Sequence, residues 1–150
     1  MVQILDEAKA IQQELIENRR QLHQMPELGY ELPQTTSFIK KKLIEFGYDP
    51  IEIYQSCIVT SIGDPSKGKT ILLRADMDAL PMKEESGLDF AAKGNVCHSC
   101  GHDLHMAMLL GAAKLLRKHE NELNGCVKCM FQPDEEAQSC EDIGGALRMV

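Results

Sequence analysis

The chain has 150 residues, about the size of one domain, and its 43% hydrophobic and 26% charged residues are ordinary for a globular protein. Sixteen basic residues against twenty-three acidic ones give a net charge of −7, which argues against a dedicated nucleic-acid binder because such proteins carry basic patches. The longest apolar run, 106–113, is far shorter than the roughly 18 residues of a membrane span, and no secretory signal is visible, so we expect a cytoplasmic protein without nucleic-acid or membrane partners.

The predicted elements alternate between helices and strands. Apolar residues at helical spacing, together with capping and stop residues, predict helices over about 3–23, from Thr35 or Thr36 to Gly47, over 103–118, and from 144 onward. Short apolar runs bounded by turn residues predict strands over 51–62, 70–75 and 126–131. This order of elements predicts an α/β protein in which a sheet packs against helices.

The densest cluster of reactive side chains lies between the second predicted strand and the long helix. Residues 97–105 hold two cysteines, three histidines and an aspartate. His98, Cys100 and His102 alternate, so in an extended loop their side chains would point to one side, within reach of one ion. Thiolate and imidazole ligands together favour zinc or a similar transition metal.

Carboxylates follow two of the predicted strands at their carboxyl ends. Glu135 and Glu136 come after the strand 126–131, where catalytic groups of open α/β sheets gather. One of them could hold a metal while the other moves protons, as metal-assisted hydrolysis requires. Asp76 and Asp78 leave one side of a strand end and could orient a metal-bound histidine. The alternative in both places is a solvated turn without chemistry.

A competing interpretation joins the two Cys-x-x-Cys segments, 97–100 and 126–129, in a structural zinc site. The 25 residues between them exceed the usual spacing of about 15 to 20. Cys126 and Cys129 also fall in a predicted strand, where residues three apart point to opposite faces. These two thiols are therefore more typical of core residues than of metal ligands.

The order of four motifs resembles the amidohydrolase branch of the dinuclear-metal aminoacylase and carboxypeptidase family, which includes hippurate hydrolases, N-acyl-amino-acid amidohydrolases and auxin-conjugate hydrolases. The motifs lie at 19–29, 73–81, 98–105 and 131–136. The resemblance implies the N-terminal portion of an exopeptidase-like catalytic domain, with a mixed sheet flanked by helices. It also implies metal-dependent hydrolysis of the amide bond of N-acyl amino acids or small peptide conjugates.

The resemblance further implies a role for each site residue. Cys100, His102 and Glu136 match metal ligands. Glu135 matches the general base, and Asp78 matches a carboxylate that supports the site. The implied cofactors are two divalent metal ions, namely zinc, manganese, cobalt or nickel.

The family's remaining ligand histidines and its lid or dimerisation domain match no part of residues 1–150. We therefore expect this chain alone to have little or no hydrolase activity, to expose apolar surface, and to associate into homo-oligomers. Two alternatives stay open. One is a non-catalytic four-cysteine zinc module, and the other is a truncated, inactive paralogue that acts as an interaction protein.

Overall fold

The computed structural model describes residues 2–136 and 144–149. Within these residues the helices are α1 (Val2–Ala10), α2 (Gln12–His23), α3 (Pro33–Glu45), α4 (His102–Lys118) and α5 (Gly145–Arg148). The strands are β1 (Ile51–Tyr54), β2 (Cys57–Gly63), β3 (Lys69–Asp76) and β4 (Gly125–Gln132). In the described part of the chain, no helix is both long enough and apolar enough to cross a membrane.

The four strands form one mixed sheet in the order β1-β2-β4-β3. The pairs β1–β2 and β2–β4 are antiparallel, whereas β3 and β4 run parallel, from the pair Lys69–Gly125 to the pair Asp76–Gln132. A parallel pair needs a crossover connection, and α4 supplies it. The predicted α/β fold with a mixed sheet flanked by helices is confirmed.

The core lies between the sheet and the helices. Its largest fully buried apolar side chains are Leu22, Leu32, Ile39, Leu43, Ile58, Met77, Met106, Leu110 and Phe131. Gly111 lets α2 approach α4 closely, because a Cβ atom there would lie 2.6 Å from Cδ2 of Leu15. On β3, Ile71 and Leu72 are 57% and 54% exposed, so this strand carries the exposed apolar surface that we expect.

Two predicted elements are each divided in the structure. The helix predicted over 3–23 breaks at Ile11, which separates α1 from α2. The strand predicted over 51–62 is a hairpin that turns at Gln55 and Ser56. Ser56 takes a positive φ of 58°, and its hydroxyl donates to the carbonyl oxygen of Tyr30 over 2.8 Å. A long-range contact therefore stabilises a turn that lacks the usual Gly or Pro.

The cap predicted for the second helix is wrong. The helix α3 begins at Pro33, and Thr35 and Thr36 are buried inside its first turn. The carboxylate of Glu27 accepts the backbone N–H of Gln34 and of Thr35 at 3.1 and 2.9 Å. A side chain from the preceding loop thus satisfies N–H groups that a local cap would otherwise bind.

Candidate metal centre

The candidate site forms where β3 and β4 end side by side. The backbone N–H of Met77 donates to the carbonyl oxygen of Gln132 over 2.8 Å, which holds the two strand ends together. The loop after β3 carries Asp78 and later enters α4, and the turn after β4 carries Glu135 and Glu136. Parallel strands with a helical crossover therefore bring three distant segments to one edge of the sheet.

His102 is the first residue of α4 and is 2% exposed. Its Nδ1 donates to the backbone carbonyl of Asp78 over 2.7 Å, which leaves Nε2 facing the site. Carboxylate oxygens of Asp76, Glu135 and Glu136 lie 3.7, 3.6 and 3.8 Å from Nε2. Burial lowers the pKa of His102, but the hydrogen bond with Asp78 and the charge of Asp76 outweigh burial and raise it to about 9. The carboxylates around Nε2 thus favour a positive charge at this point, either a proton or a metal ion.

Two groups of donor atoms in the described part of the chain are close enough to hold an ion, and they share His102. The first comprises Cys100, His102 and Glu136, and the second comprises Asp76, His102 and His105; within each group the donor atoms lie within 4.8 Å of one another. A thiol, an imidazole and a carboxylate form a donor set that suits zinc and similar transition metals. The residues present therefore fit a metal centre.

Cys100 and His105 lie at the exposed side of this centre. The hydrogen bond with Glu136 and, to a lesser extent, burial raise the pKa of the Cys100 thiol. A bound cation would favour the thiolate instead, since metal coordination deprotonates thiols. The Nδ1 atom of His105 lies 2.5 Å from Oδ1 of Asp76, and its ring stacks on that of His102 with centroids 5.7 Å apart.

Asp78 links the segments of the site although it belongs to neither donor group. Asp78 is 1% exposed, and its carboxylate accepts hydrogen bonds from the backbone N–H groups of Glu135 and Glu136, each over 3.0 Å. Burial raises the pKa of Asp78, but hydrogen bonds with His102 and with these two amides prevail and lower it. Asp78 therefore orients both glutamates through the backbone and His102 through its carbonyl oxygen.

The five residues to which the family resemblance assigns a role meet at this place: Asp78, Cys100, His102, Glu135 and Glu136. The prediction that an extended loop aligns His98 with Cys100 and His102 is wrong, because His102 begins a helix. His98 belongs to neither donor group, and both of its ring nitrogens are buried without a hydrogen-bond partner among residues 2–136 and 144–149. Burial lowers its pKa to about 4.

The four-cysteine site finds no support in the described residues. Neither donor group contains Cys97, Cys126 or Cys129, and all three are buried. Burial raises the pKa of Cys129 to about 11, which disfavours the thiolate that zinc requires. The structure thus agrees with the prediction that Cys126 and Cys129 are core thiols.

Sequence reasoning missed His105 and Asp76 as donors. The spacing of His102 and His105 places both on one face of α4, and this helical spacing was the available signal. His23, at the end of α2, is buried between two carboxylates, Asp103 and Glu84. These two carboxylates lie 80 and 61 residues from His23 in sequence, so no local pattern predicts them, whereas a third contact, of Nδ1 with Nη2 of Arg19, lies one helical turn away.

We expect the stability that Glu84 contributes to be complete above about pH 4.5 and to be lost as the pH falls toward 2. The Ser86 hydroxyl, His23 and the Ala92 amide lower the pKa of Glu84 to about 2, against a smaller opposing effect of burial. A lowered pKa in the folded state stabilises the fold only while the carboxylate is ionised, here by about 1–2 kcal/mol. Urea unfolding of the wild type and of Glu84→Gln between pH 2 and 6 measures this contribution.

The neighbouring exposed residue provides the control for this experiment. The free energy of unfolding of Glu84→Gln should lie below that of the wild type at pH 6 and approach it near pH 2. Glu85→Gln, at an exposed position, should follow the wild type at every pH. A gap between Glu84→Gln and the wild type that stays constant across this range contradicts the prediction.

Comparisons with known proteins bear on the family and the fold of this chain. The profile of peptidase family M20/M25/M40 matches residues 72–150. N-acetyl-L-cysteine deacetylase of Bacillus subtilis (strain 168) is 47% identical over 132 residues, which cover 85% of this chain and 31% of that protein. N-acyl-L-amino acid amidohydrolase of Geobacillus stearothermophilus is 36% identical, and the match covers 98% of this chain and 38% of that protein.

A solved structure shares both the fold and much of the sequence. The crystal structure of the Bacillus subtilis YxeP protein, described as a dinuclear metal-binding peptidase, superposes with a TM-score of 0.80 at 39% identity. The superposition covers 85% of this chain and 37% of the YxeP chain. The chain therefore spans between about 31% and 38% of the length of these three proteins.

Proposed function

Because the chain belongs to peptidase family M20/M25/M40, we propose that it supplies the N-terminal portion of the catalytic domain of a metal-dependent amidohydrolase. The substrates that we propose are N-acyl amino acids or small peptide conjugates, and the names of two relatives indicate the first of these classes. The observation that carries the proposal is the meeting of thiol, imidazole and carboxylate donors beside a further glutamate that stands outside both donor groups.

Cys100, His102 and Glu136 are the proposed ligands in this chain, with Asp76 and His105 close enough to assist. Two divalent ions of zinc, manganese, cobalt or nickel would lower the pKa of a water molecule and polarise the amide carbonyl. The arrangement of His102 supports its role as a ligand. Its Nδ1–H is committed to a backbone carbonyl, so the lone pair of Nε2 is directed into the site.

Glu135 is the proposed general base. Its carboxylate lies 3.6 Å from Nε2 of His102 but belongs to neither donor group, and its side chain is 38% exposed. It can therefore take a proton from the attacking water as the water oxygen bonds to the amide carbon. The same carboxyl then gives that proton to the amine nitrogen as the carbon–nitrogen bond breaks.

Asp78 is proposed to keep this geometry through the reaction. Its hydrogen bonds to the amides of Glu135 and Glu136 fix the turn that carries both side chains. Fixed donors and acceptors of this kind lower the cost of reorganisation during catalysis. Asp78 acts through other residues and is therefore a positioning residue.

The remaining ligands and the lid or dimerisation domain are proposed to lie outside residues 1–150, since the chain spans about a third of its relatives. On this proposal the 150-residue chain alone hydrolyses amides weakly or not at all, and homo-oligomers form through the other parts. A cytoplasmic location is supported by Cys57, Cys97, Cys100, Cys126 and Cys129, which are all free thiols.

Metal content of the purified chain tests the proposed centre. We expect the wild type to bind zinc or cobalt and Cys100→Ser to bind it about tenfold more weakly or worse, because the thiolate is a ligand. Cys126→Ser is the matched control, since Cys126 is a buried strand residue outside both donor groups. It should keep the metal.

Two outcomes of this experiment overturn the proposed centre. If both serine variants lose the metal together, a site that uses Cys126 replaces the one proposed here. If the wild type takes up no metal from millimolar zinc or cobalt, Cys100, His102 and Glu136 are not sufficient to hold an ion in this chain.

A further inference from the structure

We propose that His23 is a positioning residue for the metal centre. It ties the end of α2 to both sides of the segment that carries Cys100 and His102. This inference rests on the proposed function only in naming those two residues as ligands. The contacts that carry it belong to a partly buried polar network beside the centre, formed by Arg19, His23, Glu84 and Asp103.

The His23 ring connects two carboxylates from different parts of the chain. It is the last residue of α2 and is 5% exposed. Its Nδ1 lies 2.7 Å from Oδ2 of Asp103, and its Nε2 lies 3.1 Å from both carboxylate oxygens of Glu84. A planar ring with nitrogen atoms at two separate positions can contact both carboxylates at once, which fixes the distance between Asp103 and Glu84.

The contact with Asp103 controls the start of α4. Asp103 follows His102 in the first turn of the helix and is completely buried. Its Oδ1 accepts the backbone N–H of Leu104 over 2.9 Å, and its Oδ2 also lies 2.8 Å from Nε of Arg19. A buried carboxylate that loses a partner must find another or move, because an unpaired buried charge is costly. A shift of Asp103 would move His102 with it.

The contact with Glu84 controls the loop before α4. The carboxylate of Glu84 accepts the backbone N–H of Ala92 over 2.6 Å and the hydroxyl of Ser86. Farther along, the backbones of Leu80 and Cys97 exchange two hydrogen bonds of 3.0 Å, which close the loop three residues before Cys100. His23 therefore anchors the loop that leads to Cys100 as well as the helix that begins at His102.

His23→Gln tests this inference, and His119→Gln is its matched control. His119 likewise stands at the C-terminal end of a helix and lies between two carboxylates, with Nδ1 2.7 Å from Glu122 and Nε2 2.8 Å from Glu7. It lies at the far end of α4, about 25 Å from His102 along a helix that rises about 1.5 Å per residue. Both substitutions remove a doubly bonded histidine, but only one of them touches the network beside the centre.

Two readouts separate positioning from a general loss of stability. In cobalt titrations followed by the thiolate-to-cobalt absorption band, His23→Gln should lower the affinity about tenfold, as loss of an outer-shell partner does. Amide hydrogen exchange at residues 101–105 should also be about tenfold faster in His23→Gln. His119→Gln should leave both quantities within twofold of the wild type, even if the two variants lose similar amounts of thermal stability.

The outcomes are distinct for this inference and for the proposed function. Wild-type affinity and wild-type exchange in His23→Gln overturn the inference, as does an equal loss in both histidine variants. If the wild type shows no cobalt band, the proposed centre fails and hydrogen exchange alone decides the role of His23. If His23→Gln does not fold, Glu84→Gln weakens the contact with Nε2, together with those to Ser86 and Ala92, and leaves the contact of Nδ1 with Asp103 in place. Unchanged exchange at residues 84–100 in that variant overturns the inference.

Discussion

Replacing Glu135 with glutamine is expected to lower kcat for an N-acetyl amino acid by about 10²- to 10⁴-fold in the longer protein proposed above. Glutamine keeps the size of the side chain but cannot accept a proton from water. The backbone hydrogen bond from residue 135 to Asp78 does not depend on this side chain, so the turn should keep its shape. Initial rates after metal loading, with metal content measured on the same sample, provide the measurement.

The adjacent glutamate is the matched control for this experiment. Glu136 shares a donor group with Cys100 and His102, whereas Glu135 does not. Glu136→Gln should therefore lose metal, while Glu135→Gln should keep it and lose turnover. If Glu135→Gln loses the metal and Glu136→Gln keeps it, the two roles assigned here are wrong.

Replacing Gly125 with alanine is expected to lower the free energy of unfolding by about 4 kcal/mol. Gly125 has a φ of +136°, which residues with a Cβ atom rarely adopt, and it opens β4 at the first pair with β3. A Cβ atom at this position would lie 2.3 Å from the carbonyl oxygen of Lys69. Because this neighbour is backbone, it cannot rotate away, so the strand pair itself must shift. Urea unfolding measures the loss.

Gly94→Ala separates the cost of the positive φ from the cost of the close approach of β3. Gly94 also has a positive φ, +103°, but a Cβ atom there would meet nothing within 4 Å. We expect its substitution to cost only the backbone strain, about 1–2 kcal/mol. Equal losses in Gly94→Ala and Gly125→Ala would contradict the argument from the close approach of β3.

Elements with strong local patterns could be predicted from the sequence. The long helix over 103–118 and the strands over 70–75 and 126–131 match α4, β3 and β4 within two residues at either end. Each has a continuous apolar pattern bounded by turn residues, so local periodicity was sufficient. The family resemblance, which rested on four motifs in order, is confirmed by the match to peptidase family M20/M25/M40.

Features that depend on distant contacts could not be predicted in this way. The turn at Ser56 is stabilised by Tyr30, 26 residues away, and the start of α3 is bound by Glu27 from the preceding loop. In the site, the five assigned residues were found through motif positions. The contact of His105 with Asp76 and the buried state of His23 could not be predicted, because these partners lie in other elements.

The distance in sequence between the two halves of the site has a consequence for how the site arises during folding. Asp78 meets the amides of Glu135 and Glu136 across 57 and 58 residues, and only the pairing of β3 with β4 through α4 closes that separation. Contacts of such high sequence separation form late, after the entropy of a long loop has been lost. On the proposed function, Glu136 can therefore join Cys100 and His102 at the ion only after β3 and β4 have paired to their ends.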